Sequence, residues 1–139
     1  MSNQDESSKL FGEVIYAYTR AQALADGVLV DVSQTAREAG FRWPVAMTRT
    51  AWEDCVAWSE EDSRRQVHQD ESGRLWDVLW MAINAIRCSS GEMSQTLFRL
   101  YRVPRDGKCQ EALLVTLKLV AGPGDAGEPV ITIMLPQED

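Results

Sequence analysis

Histidine and cysteine are scarce in this chain. Its 139 residues include one histidine, His68, and three cysteines, Cys55, Cys88 and Cys109. No two cysteines have the close spacing of a metal-binding pair, and an odd number does not suit a disulfide framework, so we expect free thiols in a reducing compartment. We therefore expect neither a metal ion nor a tightly bound cofactor.

Long apolar runs are also missing. No stretch of the sequence approaches the roughly 20 residues that cross a bilayer, and residues 1–9 are polar, unlike a secretory signal peptide. We therefore predict a cytoplasmic protein with no membrane partner. Its predicted organisation is a disordered N-terminal tail over residues 1–9 and a single domain over residues 10–139.

Basic residues are outnumbered by acidic ones. Lys and Arg together number 14 against 21 Asp and Glu, which gives a net charge of −7. Because affinity for nucleic acid comes mainly from Lys and Arg, this balance excludes a broad phosphate-binding surface, and we expect no high-affinity binding of duplex DNA. The same balance suits a protein that docks on a basic partner.

The first forty residues predict a short strand–helix–strand–helix segment. Residues 10–18 are typical of a strand. Thr19 and Gln22 form the Thr-x-x-Gln pattern of a capping box, which begins a helix, and Gly27 suits the left-handed residue that ends one. The β-branched residues that follow predict a second strand, and a second short helix then continues to Gly40.

The middle of the chain predicts two helices with a loop between them. Thr50 and Glu53 have the spacing of a capping box for a helix over residues 51–58, and the polar, unperiodic residues 59–72 predict a loop. Residues 73–87 predict the strongest helix, because its apolar residues recur at helical spacing and two tryptophans widen the stripe. We expect this helix to be covered on most sides. The stripe consists of Leu75, Leu79, Ala82, Ile83 and Ile86, and it is widened by Trp76, Val78, Trp80 and Met81.

The last third of the chain alternates apolar and polar residues, which is typical of strands. The pattern predicts strands over residues 97–103, 113–120 and 130–135, joined by short turns, and the simplest arrangement is an antiparallel meander. The predicted fold is therefore a single α+β domain, in which the helix over residues 73–87 packs centrally on a C-terminal three-stranded sheet.

Acidic residues concentrate in residues 53–77, where eight carboxylates stand against three arginines. Trp52 and Trp58 are six residues apart and cannot share one narrow helical face, so one of them is expected at the surface. An exposed tryptophan is a recurrent anchor at protein interfaces, although acidic loops often serve solubility alone. The predicted partner-binding residues are Glu53, Asp54, Trp58, Glu60, Glu61, Asp62, Asp70 and Glu71.

Catalytic chemistry has weaker support in the sequence. His68 lies near carboxylates, as a general base does, but a sequence does not place a nucleophile beside it, so we predict no catalytic residue. The alternative is a small enzyme or ligand-binding domain, with a pocket beside the N-terminal segment and Tyr16, Tyr18 or His68 at its edge.

Three stretches carry a family resemblance. They are LFGEVIYAYTRAQALADGVLVDV (residues 10–32), QDESGRLWDVLWM (residues 69–81) and PVITIMLP (residues 129–136). They resemble an uncharacterised family, a domain of unknown function in small proteins on bacterial plasmids, integrative elements and phages. The order of elements near the N-terminus is more weakly similar to ADP-ribosyltransferase-like folds, although no nicotinamide-binding residue set is recognisable.

The resemblance implies a function by association only. Small acidic proteins of mobile elements often inhibit host defence systems. We therefore predict a non-enzymatic interaction protein of the anti-CRISPR or antirestriction type, whose carboxylates occupy the Lys and Arg sites of a basic host protein or nucleoprotein complex. Self-association into a homo-oligomer stays open, because residues 87–118 carry an excess of basic groups.

Overall fold

The computed structural model describes residues 18–89 and 94–139. These residues form five helices and five strands. The helices are α1 (Arg20–Asp26), α2 (Ser33–Ala39), α3 (Arg49–Cys55), α4 (Glu60–Arg65) and α5 (Glu71–Cys88). The strands are β1 (Leu29–Asp31), β2 (Val45–Thr48), β3 (Gln95–Arg102), β4 (Leu113–Pro123) and β5 (Pro129–Met134). The predicted strand over residues 10–18 lies outside the described residues except for Tyr18, and the predicted tail over residues 1–9 lies wholly outside them.

The strands form one mixed sheet in the order β1-β2-β5-β4-β3. β3, β4 and β5 pair antiparallel in chain order, but β5 also pairs in parallel with β2, with Ala46 opposite Thr132. The single α+β domain is confirmed. The separate three-stranded meander is not, because the sheet continues through β2 to β1.

One face of the sheet carries the core. α2, α3 and α5 pack there, and the alternating residues of each strand that point toward them are buried. Val78, Leu79 and Ala82 of α5 are fully enclosed, which confirms α5 as the central helix. In the part of the chain that the structure describes, no helix combines the length and apolar character needed to cross a membrane.

Local signals locate several helix ends correctly. Thr19 and Gln22 make the predicted capping box at the start of α1, and Gly27 adopts the left-handed conformation at its end. Gly40 ends α2 in the same way. These ends were predictable because a cap depends only on residues within one helical turn.

The other boundaries in the middle of the chain differ from the prediction. The capping box of Thr50 and Glu53 is wrong, since the Thr48 hydroxyl accepts from the Ala51 N–H at 3.2 Å and α3 begins one residue after it. The predicted loop over residues 59–72 contains α4, which a capping box between Ser59 and Asp62 begins. α4 was missed because a short, polar surface helix has no apolar periodicity.

Candidate functional site

The acidic region over residues 53–77 is not a bare negative surface. Arginines pair with its carboxylates. Some of these arginines belong to the region itself, and others come from other parts of the sequence. The ion pairs are Glu53 with Arg49 (3.7 Å) and Arg105 (3.3 Å), Asp54 with Arg102 (2.9 Å), Glu60 with Arg64 (3.9 Å), Glu61 with Arg65 (3.1 Å) and Asp62 with Arg105 (2.7 Å). The charge of a sequence window therefore overstates the charge of the surface that it forms.

Two of the predicted partner-binding residues are internal. Trp58 is only 6% exposed, and its indole N–H donates to the Ser63 hydroxyl at 3.0 Å. Asp62 is also buried, and its Oδ2 accepts from the Ser59 N–H and from Arg105 Nε. Trp58 is therefore no surface anchor, and neither side chain is available to a docking partner.

Hydrogen bonding keeps Asp62 ionised. Burial opposes the charged carboxylate, but the N–H and hydroxyl of Ser59 and the Arg105 guanidinium outweigh it, so the pKa of Asp62 lies below its ordinary value. The remaining predicted residues lie at the surface, except that Asp54 is half-buried. Among them, Asp70 caps α5 through the Gly73 N–H, and Glu71 accepts from the Trp58 N–H.

His68 lies in a shallow cleft of about 720 Å³ between α4 and the start of α5. Ser59, Ser63, Asp70 and Glu71 also line the cleft. The hydroxyls of Ser59 and Ser63 are bonded to Asp62 and to the Gln69 carbonyl, so neither is paired with His68 as a nucleophile is with its base. The cleft holds polar groups but no assembled catalytic unit.

A second cavity, of about 620 Å³, lies beside α1 and β1, near the predicted N-terminal pocket. Tyr18 is at its edge, whereas His68 is not, and Tyr16 lies outside the described residues. The Tyr18 hydroxyl donates to Asp26 Oδ2 at 2.5 Å, and this bond raises the pKa of Tyr18. A raised pKa holds the hydroxyl in its protonated form, so Tyr18 is not an activated nucleophile.

Cys55 and Cys109 have no sign of activation. Burial raises the pKa of Cys55 to about 11. The Cys109 thiol donates to Asp106 Oδ2 at 3.0 Å, and this bond raises the pKa of Cys109. Both groups are therefore neutral thiols at pH 7. Among the described residues, no group of three His, Cys, Asp or Glu side chains is placed to hold a metal ion.

The feature that sequence reasoning missed is an exposed apolar cleft between α5 and β3, which we call the α5–β3 cleft. It has a volume of about 240 Å³. Trp80 and Tyr101 are 46% and 67% exposed, although the helical stripe predicted that Trp80 would be buried. The lining residues are Asp77, Trp80, Met81, Arg99, Leu100, Tyr101 and Leu114. The available signal was that α5 is apolar around most of its circumference, which is more than one sheet can cover.

Trp80 is held in place by a neighbour on the same helix. Its ring stacks on that of Trp76, with centroids 6.0 Å apart and planes at 19°. Within α5, the Asn84 side chain also donates to the Trp80 carbonyl at 2.7 Å. A stacked pair presents a large apolar surface with little rotamer freedom left to lose on binding.

A small cavity of about 130 Å³ lies next to the α5–β3 cleft and shares Asp77, Leu100 and Tyr101 with it. Arg74 lines this cavity and is only 4% exposed. Its guanidinium lies over the Trp58 ring, 4.5 Å from the centroid.

Arg74 is held by neutral acceptors. Its Nε donates to the Val56 carbonyl at 3.0 Å, and its Nη1 donates to the Val103 carbonyl at 2.9 Å and to Gln69 Oε1 at 2.6 Å. Burial lowers the pKa of Arg74, although a guanidinium stays protonated in proteins. Arg74 is therefore a buried cation without an ion-paired carboxylate among the described residues.

Comparison with known proteins identifies a family but no characterised relative. No curated protein and no solved structure matches the chain. The model of a family of unknown function, DUF6573, matches residues 8–139. The chain therefore belongs to the DUF6573 family of unknown function.

Proposed function

We propose that this protein is a non-enzymatic binding protein that holds an apolar, acidic segment of a partner protein in the α5–β3 cleft. The observation that carries the proposal is the exposure of Trp80, Met81, Tyr101 and Leu114 around one concave surface. Contiguous exposed aromatic and aliphatic side chains are typical of protein-interaction sites.

Charge favours an acidic partner segment over a second copy of this chain. Arg99 lines the cleft and makes no ion pair with any of the described residues. Arg74 lies in the adjoining cavity, where the Asp77 carboxylate interacts electrostatically with it. Two copies of a chain with a net charge of −7 repel each other, whereas a short acidic segment can pair with Arg99.

The test uses peptides selected from a random display library against the purified full chain. We expect the selected peptides to be apolar and to carry an acidic residue, and we expect Trp80→Ser and Tyr101→Ser each to weaken their binding at least tenfold. Trp43→Ser is the matched control, because Trp43 is an exposed tryptophan outside the cleft.

Two results would overturn the proposal. One is equal loss of peptide binding in the control and in the cleft variants. The other is a wild-type dimer in sedimentation that Trp80→Ser converts to a monomer, because a second copy would then be the occupant of the cleft.

The acidic residues support a second candidate, an inhibitor of a basic host defence complex encoded by a mobile element. Glu60, whose side chain is 95% exposed, lies with Asp70 and Glu71 around the cleft that contains His68. Binding of a basic host protein that falls when these three are changed to Gln or Asn, but not in Trp80→Ser, would favour this candidate. A cytoplasmic location is part of the same proposal.

A further inference from the structure

We infer that the docked segment binds as an extended strand, which joins the sheet along the free edge of β3. This inference rests on the proposed docking function and names the form of the partner segment: acidic, apolar at alternate positions, and extended instead of helical. β3 is the last strand of the sheet, and among the described residues it pairs with β4 alone.

Every second residue of β3 has free backbone polar groups. The Ala121 N–H donates to the Ser94 carbonyl at 2.8 Å, so these two residues form a hydrogen-bonded pair. Bonded pairs alternate along an antiparallel ladder, and the register of β3 with β4 is unbroken. The N–H and C=O groups that point away from β4 therefore belong to Gln95, Leu97, Arg99 and Tyr101. No hydrogen bond joins these groups to another described residue.

The α5–β3 cleft meets β3 along this free edge. Arg99, Leu100 and Tyr101 all line the cleft, although successive side chains of a strand point to opposite faces of the sheet. Leu100 is buried on the helix side, whereas Tyr101 is exposed on the other. A cleft that contacts three consecutive residues lies beside the strand and not over one of its faces.

α5 provides an apolar wall for one face of the added strand. Trp80 and Met81 line the cleft, and both are exposed. A strand at the usual spacing of about 4.8 Å from β3 would turn alternate side chains toward these two residues. Its other side chains would lie beside Leu97, Arg99 and Tyr101 on the opposite face. The segment therefore needs apolar residues at every second position.

Arg99 favours an acidic segment over a second copy of β3. It lies within the free edge, exposed and without an ion pair among the described residues. In a two-fold pairing centred on Arg99, the two arginines would be directly opposite each other, which is destabilising. A carboxylate at that position of a partner strand would instead make a cross-strand ion pair.

β3 lacks the usual protection of a sheet edge. Proteins block such edges with proline, with lysine, with a bulge or by keeping the edge strand very short. β3 has eight residues, without proline or lysine, and its register contains no bulge. The strand at the other edge, β1, has only three residues. β3 is therefore the edge that suits an added strand.

The test is hydrogen exchange, measured by NMR on the full chain with two synthetic peptides of equal composition. One peptide alternates valine and glutamate, and the other repeats two valines followed by two glutamates. We expect the alternating peptide to slow exchange roughly tenfold at the amides of Leu97, Arg99 and Tyr101. Exchange at Phe98 and Leu100 should change much less, because those amides are already bonded to β4. The second peptide should slow none of them.

Variants of the edge separate main-chain from side-chain contacts. Leu97→Pro removes a free N–H that β4 does not use, so the fold tolerates it, and binding of the alternating peptide should weaken about tenfold. Leu97→Ala keeps the N–H and should weaken binding less. Arg99→Gln should weaken binding about threefold, whereas Arg37→Gln, which removes the same charge from an exposed position on α2, should not.

Three results would overturn the inference. The first is the absence of slowed exchange at the three edge amides with the alternating peptide. The second is wild-type affinity in Leu97→Pro, and the exchange pattern of the wild type decides the question if that variant does not fold. The third is a wild-type dimer in which the edge amides exchange slowly without peptide, because a second copy would then occupy the edge.

The two proposals fail separately. Library peptides that need Trp80 and Tyr101 for binding, but slow exchange at no edge amide, would remove strand addition and leave docking. Slowed exchange at the edge amides with the alternating peptide, unchanged in Trp80→Ser and Tyr101→Ser, would remove docking in the cleft and leave strand addition.

Discussion

Gln66 should be one of the most sensitive polar positions in the protein. It is only 7% exposed, and it follows the last residue of α4. Its Nε2 donates to the carbonyls of Pro104 and Cys109 at 2.8 and 2.6 Å, and its Oε1 accepts from the Gly107 N–H at 3.0 Å. One amide group therefore holds both ends and the middle of the turn that follows β3.

Replacing Gln66 with Ala removes three hydrogen bonds at once. At a net contribution of about 1 kcal/mol for each bond, we expect the free energy of unfolding to fall by about 3 kcal/mol. Urea denaturation measures this loss, and hydrogen exchange at the Gly107 amide should become faster in the variant. Gln66→Glu should not restore the stability, because a carboxylate cannot donate to the two carbonyls.

The matched control is Gln34→Ala, at an exposed position on α2, which should change the free energy of unfolding by no more than about 0.5 kcal/mol. A loss below about 1 kcal/mol in Gln66→Ala, with unchanged protection of the Gly107 amide, would refute the reasoning. The turn would then be held by its own backbone.

Two further predictions concern the hydrophobic core and the loss of stability at acidic pH. Leu79→Ala, at a fully enclosed position of α5, should lower the free energy of unfolding by about 2–5 kcal/mol in urea denaturation. The N–H and thiol of Cys109 and the N–H of Lys108 lower the pKa of Asp106 to about 2, so its contribution is present above the ordinary carboxyl pKa and is lost as the pH falls toward 2. Between about pH 4 and pH 2, the free energy of unfolding should therefore fall less in Asp106→Asn than in the wild type. If the exposed control Glu111→Gln reduces this fall by the same amount, the reasoning is contradicted.

The sequence predicts those parts of the fold that depend on neighbouring residues. The capping box of Thr19 and Gln22 and the left-handed Gly27 were predictable, because each needs only one turn of chain. The alternation that predicted β3, β4 and β5 is equally local. The parallel pairing of β2 with β5 was not predictable, since nothing near Ala46 in the sequence specifies Thr132 as its partner.

The candidate site was harder to predict for the same reason. The acidic region looked bare because Arg102 and Arg105, which neutralise Asp54 and Asp62, lie 48 and 43 residues away from them in the sequence. Trp58 and Trp80 exchanged roles: the expected surface anchor is buried, and the expected core residue is exposed. Burial depends on what packs opposite a side chain, and a single sequence does not contain that information.

The position of β5 has a consequence for synthesis on the ribosome. β5 follows every other described strand in the chain, yet it lies in the middle of the sheet, where it alone joins β2 to β4. Until it emerges, the β1–β2 pair and the β3–β4 hairpin have no backbone hydrogen bonds between them and leave strand edges open to other chains. Such non-local pairing folds slowly, so we expect the nascent protein to depend on chaperones until β5 is inserted.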